Sequence, residues 1–420
     1  MPKSTIFACR IIRGIEDPDI REIIEMKKVA LLLRAILPAA GLLSLTAACT
    51  APAAAGPPEP RCAYARYFDL TEDGDVVTIS PHDGRRDTLR LERPLDNLVC
   101  MSTSYIGFLS ALGCDSVISA VSGIGYVSDP RLRLRHERTR AAGAAGAVPA
   151  GQQDMSPAGR PLYDVGYEAA LDYERILSLK PDLLLTYTVS SVEPPFLTKL
   201  RDIGVPVLLL DEQLEEHPLA RAEYVRLFGA LTGREALADS LFGAICRRYD
   251  SLRVRAAAVA GGGTPGEASA ASGPESPGGS KKVLLNIPYG DQWFIPGADN
   301  YISTLVRDAG GTVLGAKEGT SASGVISLEE AYVLSRQADF WLHPGWCRTR
   351  GQIVAANPLF SRFGIRDIYN NTLRTTPEGG NDFWESGALR ADLVLEDLTA
   401  IFQSRPGETP EGLRYYFRVD

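Results

Sequence analysis

The sequence predicts an α/β protein of two Rossmann-like lobes joined by a single long helix, with a short β-hairpin extension ahead of them. Three observations carry that reading. From residue 97 onward, apolar runs of strand length alternate with segments of helical period, the pattern of a parallel sheet covered by helices. A helix-turn-strand unit in the first half, Asp164 to Tyr187 (DVGYEAALDYERILSLKPDLLLTY), returns in fainter form from Ile326 to Leu342 (ISLEEAYVLSRQADFWL). Between the two, from Ala220 onward, the pattern stays helical, interrupted only by Gly229 and Thr232-Gly233. With 420 residues, 45% of them hydrophobic and 23% charged, the chain can bury more than one core.

Residues 1–25 look like neither a signal nor a packed element and read as a leader or a stretch ahead of the true start at Met26. Residues 26–48 open with Met26-Lys27-Lys28, continue as the apolar run Val29 to Thr46 and end Leu45-Thr46-Ala47-Ala48-Cys49. This resembles a bacterial lipoprotein signal, with Cys49 the acylated residue; Thr46 stands where that pattern usually has Leu. The competing reading, an uncleaved membrane anchor, is opposed by the short run and by Arg34 within it. Residues 49–62, rich in Ala and Pro, then form a flexible tether.

Net charge is −8 and becomes more negative without residues 1–48, which hold seven basic and five acidic side chains. An acidic chain with no basic stripe argues against a nucleic-acid partner. Apart from Cys9 and Cys49, the cysteines are Cys62, Cys100, Cys114, Cys246 and Cys347, with no CxxC and no metal-type spacing. Cys100 and Cys114 flank one strand-helix unit and read as buried apolar residues, with a bond between them open.

Residues 63–96 alternate as strands broken at Glu72-Asp73-Gly74-Asp75 and Pro81-His82-Asp83-Gly84, which predicts hairpins. The N-terminal lobe, 97–218, starts with strand LVCMS, a Ser/Thr loop and helix IGFLSALG. A strand near Val117 to Val121 follows, and then a long loop over 129–160. The repeated unit comes next, then a helix over Phe196 to Ile203 and a strand over Val205 to Leu210. Residues 219–260 are expected as one stiff linking helix, and 261–280 (Gly, Ser, Pro and Ala) as a disordered linker. The C-terminal lobe, 281–420, brings strand VLLNI, a loop from Pro288 to Asp299, a helix over Tyr301 to Ala309 and the second copy of the repeat. The loop Asn370 to Gly387 and a closing helix over Leu389 to Phe402 end it.

Within the repeat, Asp172 and Ser327 read as N-caps, the latter with Glu330 in a capping box, so Glu174 and Glu329 occupy equivalent places two residues after each cap. The ordinary reading of either is a first-turn glutamate favoured by the helix dipole. Their recurrence in both halves makes them a candidate pair for contact with one partner.

The order of these motifs resembles the ferric-siderophore and cobalamin class of substrate-binding proteins of ABC transporters. The likeness runs from Asn97 to Phe402 through LDYERILSLKPDLLL, VPVLLLD, LTGREALADSL, YISTLVRDAGG and ISLEEA. It implies two α/β lobes that hold the ligand between them, and docking on a permease through one surface glutamate per lobe, which here are Glu174 and Glu329. It also implies a monomer on the periplasmic side of a bacterial membrane, delivering an iron chelate or cobalamin to a permease whose ATPase does the work. Heme is the alternative cargo, and no intrinsic cofactor or resident metal is expected. A surface lipoprotein without a transport role is the alternative class.

Candidate cleft residues are the aromatics of strand-end loops, Tyr105, Tyr167, Tyr187, Tyr289, Trp293, Trp346 and Trp384, because a flat or bulky ligand is held by broad apolar contact. Any of them could equally belong to a core. Ser104 accompanies Tyr105, and Arg348 and Arg374 could meet an anionic ligand or form surface ion pairs. A free-metal binder would need several converging His, Asp or Glu ligands, whereas the four histidines are scattered; His343, at a strand end, is the one placed to reach a ligand iron. No GxSxG, HExxH, P-loop or GxGxxG is present, so no catalytic residues are assigned.

Overall fold

The hairpin extension forms where the sequence alternates. In the computed structural model, which describes residues 62–81, 88–144, 160–167, 170–187, 194–260, 279–290 and 292–420, strands β1 (Phe68–Asp73), β2 (Val76–Pro81) and β3 (Leu89–Glu92) make an antiparallel sheet. Residues 1–25, the signal at 26–48 with Cys49, the tether to residue 61, His82 and residues 261–278 lie outside the described residues. Phe68, Leu70, Val77 and Ile79 are buried, and Gly74 takes φ +58° in the turn between β1 and β2.

The N-terminal lobe is a five-stranded parallel sheet of order β6-β5-β4-β7-β8, built from β4 (Leu98–Cys100), β5 (Ile118–Val121), β6 (Tyr163–Asp164), β7 (Leu183–Thr186) and β8 (Val207–Leu209). Leu183, Leu184 and Leu185 are fully buried because helices cover both faces, which is why the run shows no alternation. The helices are α1 (Thr103–Ala111), α2 (Pro130–Ala144), α3 (Tyr173–Leu179) and α4 (Pro195–Asp202). Helix α2 corrects the loop expected from residue 129. Its sequence, PRLRLRHERTRAAGA, carries too few apolar residues to show a period, and its inner face is anchored by buried Arg135 beside a single buried leucine, Leu132.

The linking segment is also corrected. It is a packed pair, α5 (Pro218–Thr232) and α6 (Glu235–Ala260), not one helix. Gly233 closes α5 at φ +67°, and a Cβ on Gly229 would lie 2.5 Å from the Ala238 side chain, so Gly229 lets the two helices close on each other. Apart from half-exposed Arg226, every residue of α5 is buried.

The C-terminal lobe has sheet order β11-β9-β13-β14-β15. Strands β9 (Lys281–Leu285), β11 (Gly311–Val313), β13 (Phe340–Leu342) and β14 (Asp367–Asn370) are parallel, and β15 (Phe417–Arg418) is an antiparallel edge. An unexpected two-stranded ribbon pairs β10 (Trp293–Ile295), inside the segment expected as loop, with β12 (Gly324–Ile326), where the second copy of the repeat begins. Helices α7 (Tyr301–Asp308), α8 (Leu328–Ser335), α9 (Arg350–Ala356), α10 (Ser386–Leu389) and α11 (Ala391–Gln403) complete it. Cys62, Cys100, Cys114, Cys246 and Cys347 are free thiols, which closes the question of a Cys100–Cys114 bond.

Candidate functional site

The carboxyl ends of the two parallel sheets meet. The loop after β5 and the loop after β14 are joined by Thr376, whose hydroxyl donates to the Gly125 carbonyl at 2.6 Å. Glu385 accepts from the backbone N–H groups of Ser128 at 2.6 Å and Asp129 at 2.9 Å. Gly380 lies against the Tyr126 carbonyl and Gly107 of α1 against the Glu385 carbonyl, so closely that neither position has room for a Cβ. Burial pushes the Glu385 carboxyl up to about 8, with the Asp382 and Asp129 carboxylates adding to it and the two backbone donors only partly opposing.

The exposed aromatic rings of the C-terminal lobe lie on loops that run on from this seam. Trp346 (44% exposed), Trp384 (42%) and Tyr289 (38%) are exposed, whereas the other large rings described in the C-terminal lobe are buried or half-buried. Their loops are contiguous. A Cβ on Gly345 would sit 3.0 Å from Ile287, His343 packs edge-on against Phe383 at 5.7 Å, and Phe383 meets Trp384 at 4.8 Å. On the N-terminal lobe, half-buried Tyr126 and Tyr167 lie 6.4 Å apart, and Tyr187 follows β7 in the same half-buried state. Tyr126 was not singled out in the sequence, although an aromatic next to glycine in a strand-end loop (GIGY) is the same signal that marked Tyr289.

Two expected cleft aromatics are corrected. Tyr105 is fully buried in the core, its hydroxyl donating to the Thr186 carbonyl at 3.0 Å. Trp293 is fully buried as well; its indole N–H donates to the Leu285 carbonyl at 2.7 Å and its ring stacks on Phe363 at 6.0 Å. The ribbon β10–β12 supplies the packing that a loop would have lacked. Ser104, too, is buried, donating to Glu212 at 2.6 Å.

A cavity of about 690 Å³ lies beside the Thr376 and Glu385 contacts of the seam, between α1, the start of α2 and α10, and is lined in part by Ser110, Arg131, Arg133, Arg374, Glu385 and Arg390. Arg374 pairs with Asp382 and lies 4.9 Å from the Tyr415 ring centre. Arg348 donates to the Thr372 carbonyl at 2.8 Å and covers the Phe417 ring at 4.4 Å. His343 holds Nε2 2.8 Å from the Tyr416 hydroxyl, and burial pushes it down to about 4, so its ring is neutral near pH 7. Among the described residues no group of three or more His, Cys, Asp and Glu could hold a metal ion.

The two glutamates of the repeat are both exposed and hold no ion pair among the described residues. Asp172 accepts from the Arg175 N–H at 2.8 Å and Ser327 from the Glu330 N–H at 3.1 Å, fixing the first turns of α3 and α8. The box expected at Ser327 shows this forward bond; the reciprocal box occurs instead at Thr349 and Gln352 of α9.

A family model described as periplasmic binding protein matches residues 98–364. The chain belongs to the periplasmic binding protein family. Trp384 and Arg374 lie beyond the matched stretch. A curated relative, an uncharacterized lipoprotein of Methanocaldococcus jannaschii, is 21% identical over 312 residues, which make up 73% of this chain. The chain spans 65% of the length of that relative. Among solved structures, a periplasmic heme binding protein from Pseudomonas aeruginosa is similar at 19% identity and TM-score 0.51, over 78% of this chain and 98% of that one. A periplasmic binding protein from Veillonella parvula is similar at 14% identity and TM-score 0.50, over 79% and 98%. At these identities the likeness shows the two-lobed α/β fold, and the matched family is one of periplasmic binding proteins.

Proposed function

We propose that this chain is the lipid-anchored receptor of an ABC importer, capturing a ferric siderophore or a cobalamin and delivering it to an inner-membrane permease. The observation that carries the reading is the rim of exposed rings, Tyr289, Trp346 and Trp384, on three contiguous loops that run on from the seam where the strand ends of both lobes meet. Exposing large rings to water is unfavourable without a ligand or partner to cover them, and flat or aryl-bearing cargo fits such a surface by stacking. Heme is the alternative cargo. Iron ligation through the Nε2 of His343 would require that nitrogen to leave the Tyr416 hydroxyl.

In this reading Cys49 carries the lipid, the protein works as a monomer on the periplasmic side, and ATP is hydrolysed by the importer. Glu174 and Glu329, one on each lobe, meet basic groups of the permease, where rim ion pairs set register and association rate more than affinity. The test is a titration of tryptophan fluorescence with cobalamin, heme and ferric siderophores, with inner-filter correction. Saturable quenching by one cargo that disappears in W346F/W384F supports the reading and names the cargo. Silence toward all of them shifts it to a surface lipoprotein without a transport role.

A further inference from the structure

Helix α2 contributes its first turn to the seam cavity, and nothing described so far uses the rest. Its inner face is fixed. Arg135 is buried and donates to the carbonyls of Asp115 at 2.6 Å and of Ile118, Leu132 is buried beside it, and His136 Nδ1 lies 3.0 Å from the Leu162 carbonyl. Thr139 accepts from the Leu162 N–H at 3.0 Å. At 100° per residue these four positions share one side, so Leu134, Glu137 and Ala141 lie on the other. Arg131 and Arg138 then run along one flank and Arg133 and Arg140 along the opposite one. Arg138 and Arg140 are exposed, Arg133 is half-exposed and Leu134 is 47% exposed. Arg131 is held by Asp115 at 3.0 Å and Asp129 at 2.7 Å, whereas Arg133, Arg138 and Arg140 have no ion pair among the described residues. A chain of net charge −8 thus concentrates unpaired cations on one rigid helix.

We propose that the outward face of α2 is a membrane-surface contact, with its arginine flanks on the phosphates of anionic phospholipids and Leu134 between them. This rests on the lipid-anchor reading in one respect. Cys62, the first described residue, is thirteen residues beyond Cys49. A chain of that length spans at most about 45 Å. The body therefore stays within about one protein diameter of the bilayer, where an acidic surface is repelled by anionic lipid and a cationic row is drawn to it. With a single exposed leucine on its outer face, α2 lies on the headgroups rather than inserting, so the contact is reversible and salt-sensitive.

The experiment is flotation of the full chain with neutral phosphatidylcholine vesicles and with vesicles containing a third phosphatidylglycerol, each at low and at high salt. Each arginine is expected to add up to about fivefold to the partition onto anionic lipid. The expected result is an anionic-lipid-dependent gain of at least about tenfold that vanishes at high salt and in R133E/R138E/R140E, with thermal unfolding unchanged. R138Q/R140Q, confined to exposed positions, should lose part of the gain and guards against misfolding of the triple variant. Equal partition of the unacylated Cys49→Ala chain onto both vesicle types, or a gain that survives in the arginine variants, overturns the proposal; the latter result would point to another cationic patch. Partition onto neutral vesicles and its loss in Cys49→Ala report on the anchor alone, so failure of the anchor reading is read separately from failure of the helix.

Discussion

Trp293 and Trp384 are both tryptophans in loops rich in polar residues, yet one ring is sealed under a two-stranded ribbon and the other stands open at the seam. Trp293→Ala should cost about 3–5 kcal/mol in denaturant unfolding, because it empties a fully packed site among Trp341, Phe360 and Phe363. Trp384→Ala should stay within about 0.5 kcal/mol of wild type, as an exposed position does, while weakening cargo binding. Glu385 makes a different prediction. Its folded-state carboxyl sits near 8 against an ordinary 4.5, so between those values the native state holds a proton that the unfolded chain releases. Stability contributed by this site is therefore greatest below about 4.5 and falls as pH rises through 8. Glu385→Gln cannot ionise, so the stability difference between variant and wild type should grow in the variant's favour over that window, as urea unfolding at a series of pH values will read.

Helix α1 meets α10 through Gly107, which has backbone rather than a flexible side chain against it. Gly107→Ala favours the helix intrinsically by up to about 1 kcal/mol, but the Cβ must displace the Glu385 carbonyl. The expected net effect is a loss of about 1–3 kcal/mol and a loosened seam, read as a lower unfolding midpoint together with weaker cargo binding. At the same scale, Glu174→Ala with Glu329→Ala should leave cargo affinity unchanged and abolish uptake in cells, since both side chains point to solvent from capped first turns. Elements of this kind were the legible part of the sequence. The buried leucines of β7 and the caps of α3 and α8 announce themselves because strand runs and N-caps are local signals. What stayed hidden depends on distant partners. Helix α2 is held by Arg135 reaching carbonyls of another segment, and the ribbon β10–β12 pairs residues far apart in the chain, Trp293 with Ile326 being one such pair. For the site, the strand-end loops were readable, whereas whether a given ring faced the core or the seam was decided by packing that spacing does not encode.

At the scale of the whole molecule, α5 is the spine. Glu223 accepts from the backbone N–H groups of Ala63, Tyr64 and Ala65, tying the hairpin extension to it. Arg221 pairs with Glu212 at 2.9 Å, Glu212 holds Ser104 of α1 in the N-terminal lobe, and the Arg221 guanidinium lies 4.5 Å from the Tyr301 ring centre in α7 of the C-terminal lobe. One buried ion pair therefore contacts both lobes. Arg221→Met should destabilise by about 3–5 kcal/mol, because Glu212 is left buried without its counter-charge, and Glu212→Gln in the same chain should restore part of that loss. A spine packed this way, with Thr376 and Glu385 bridging the seam on the other side, leaves little freedom for hinge closure. Small-angle scattering with and without a saturating cargo should then give superimposable curves, and a large contraction would show that the α5–α6 pair flexes despite its burial. If the curves coincide, a permease docked as proposed cannot read cargo from a gross closure of the two lobes, and its signal would lie in local changes at the rim or in the spacing of Glu174 and Glu329.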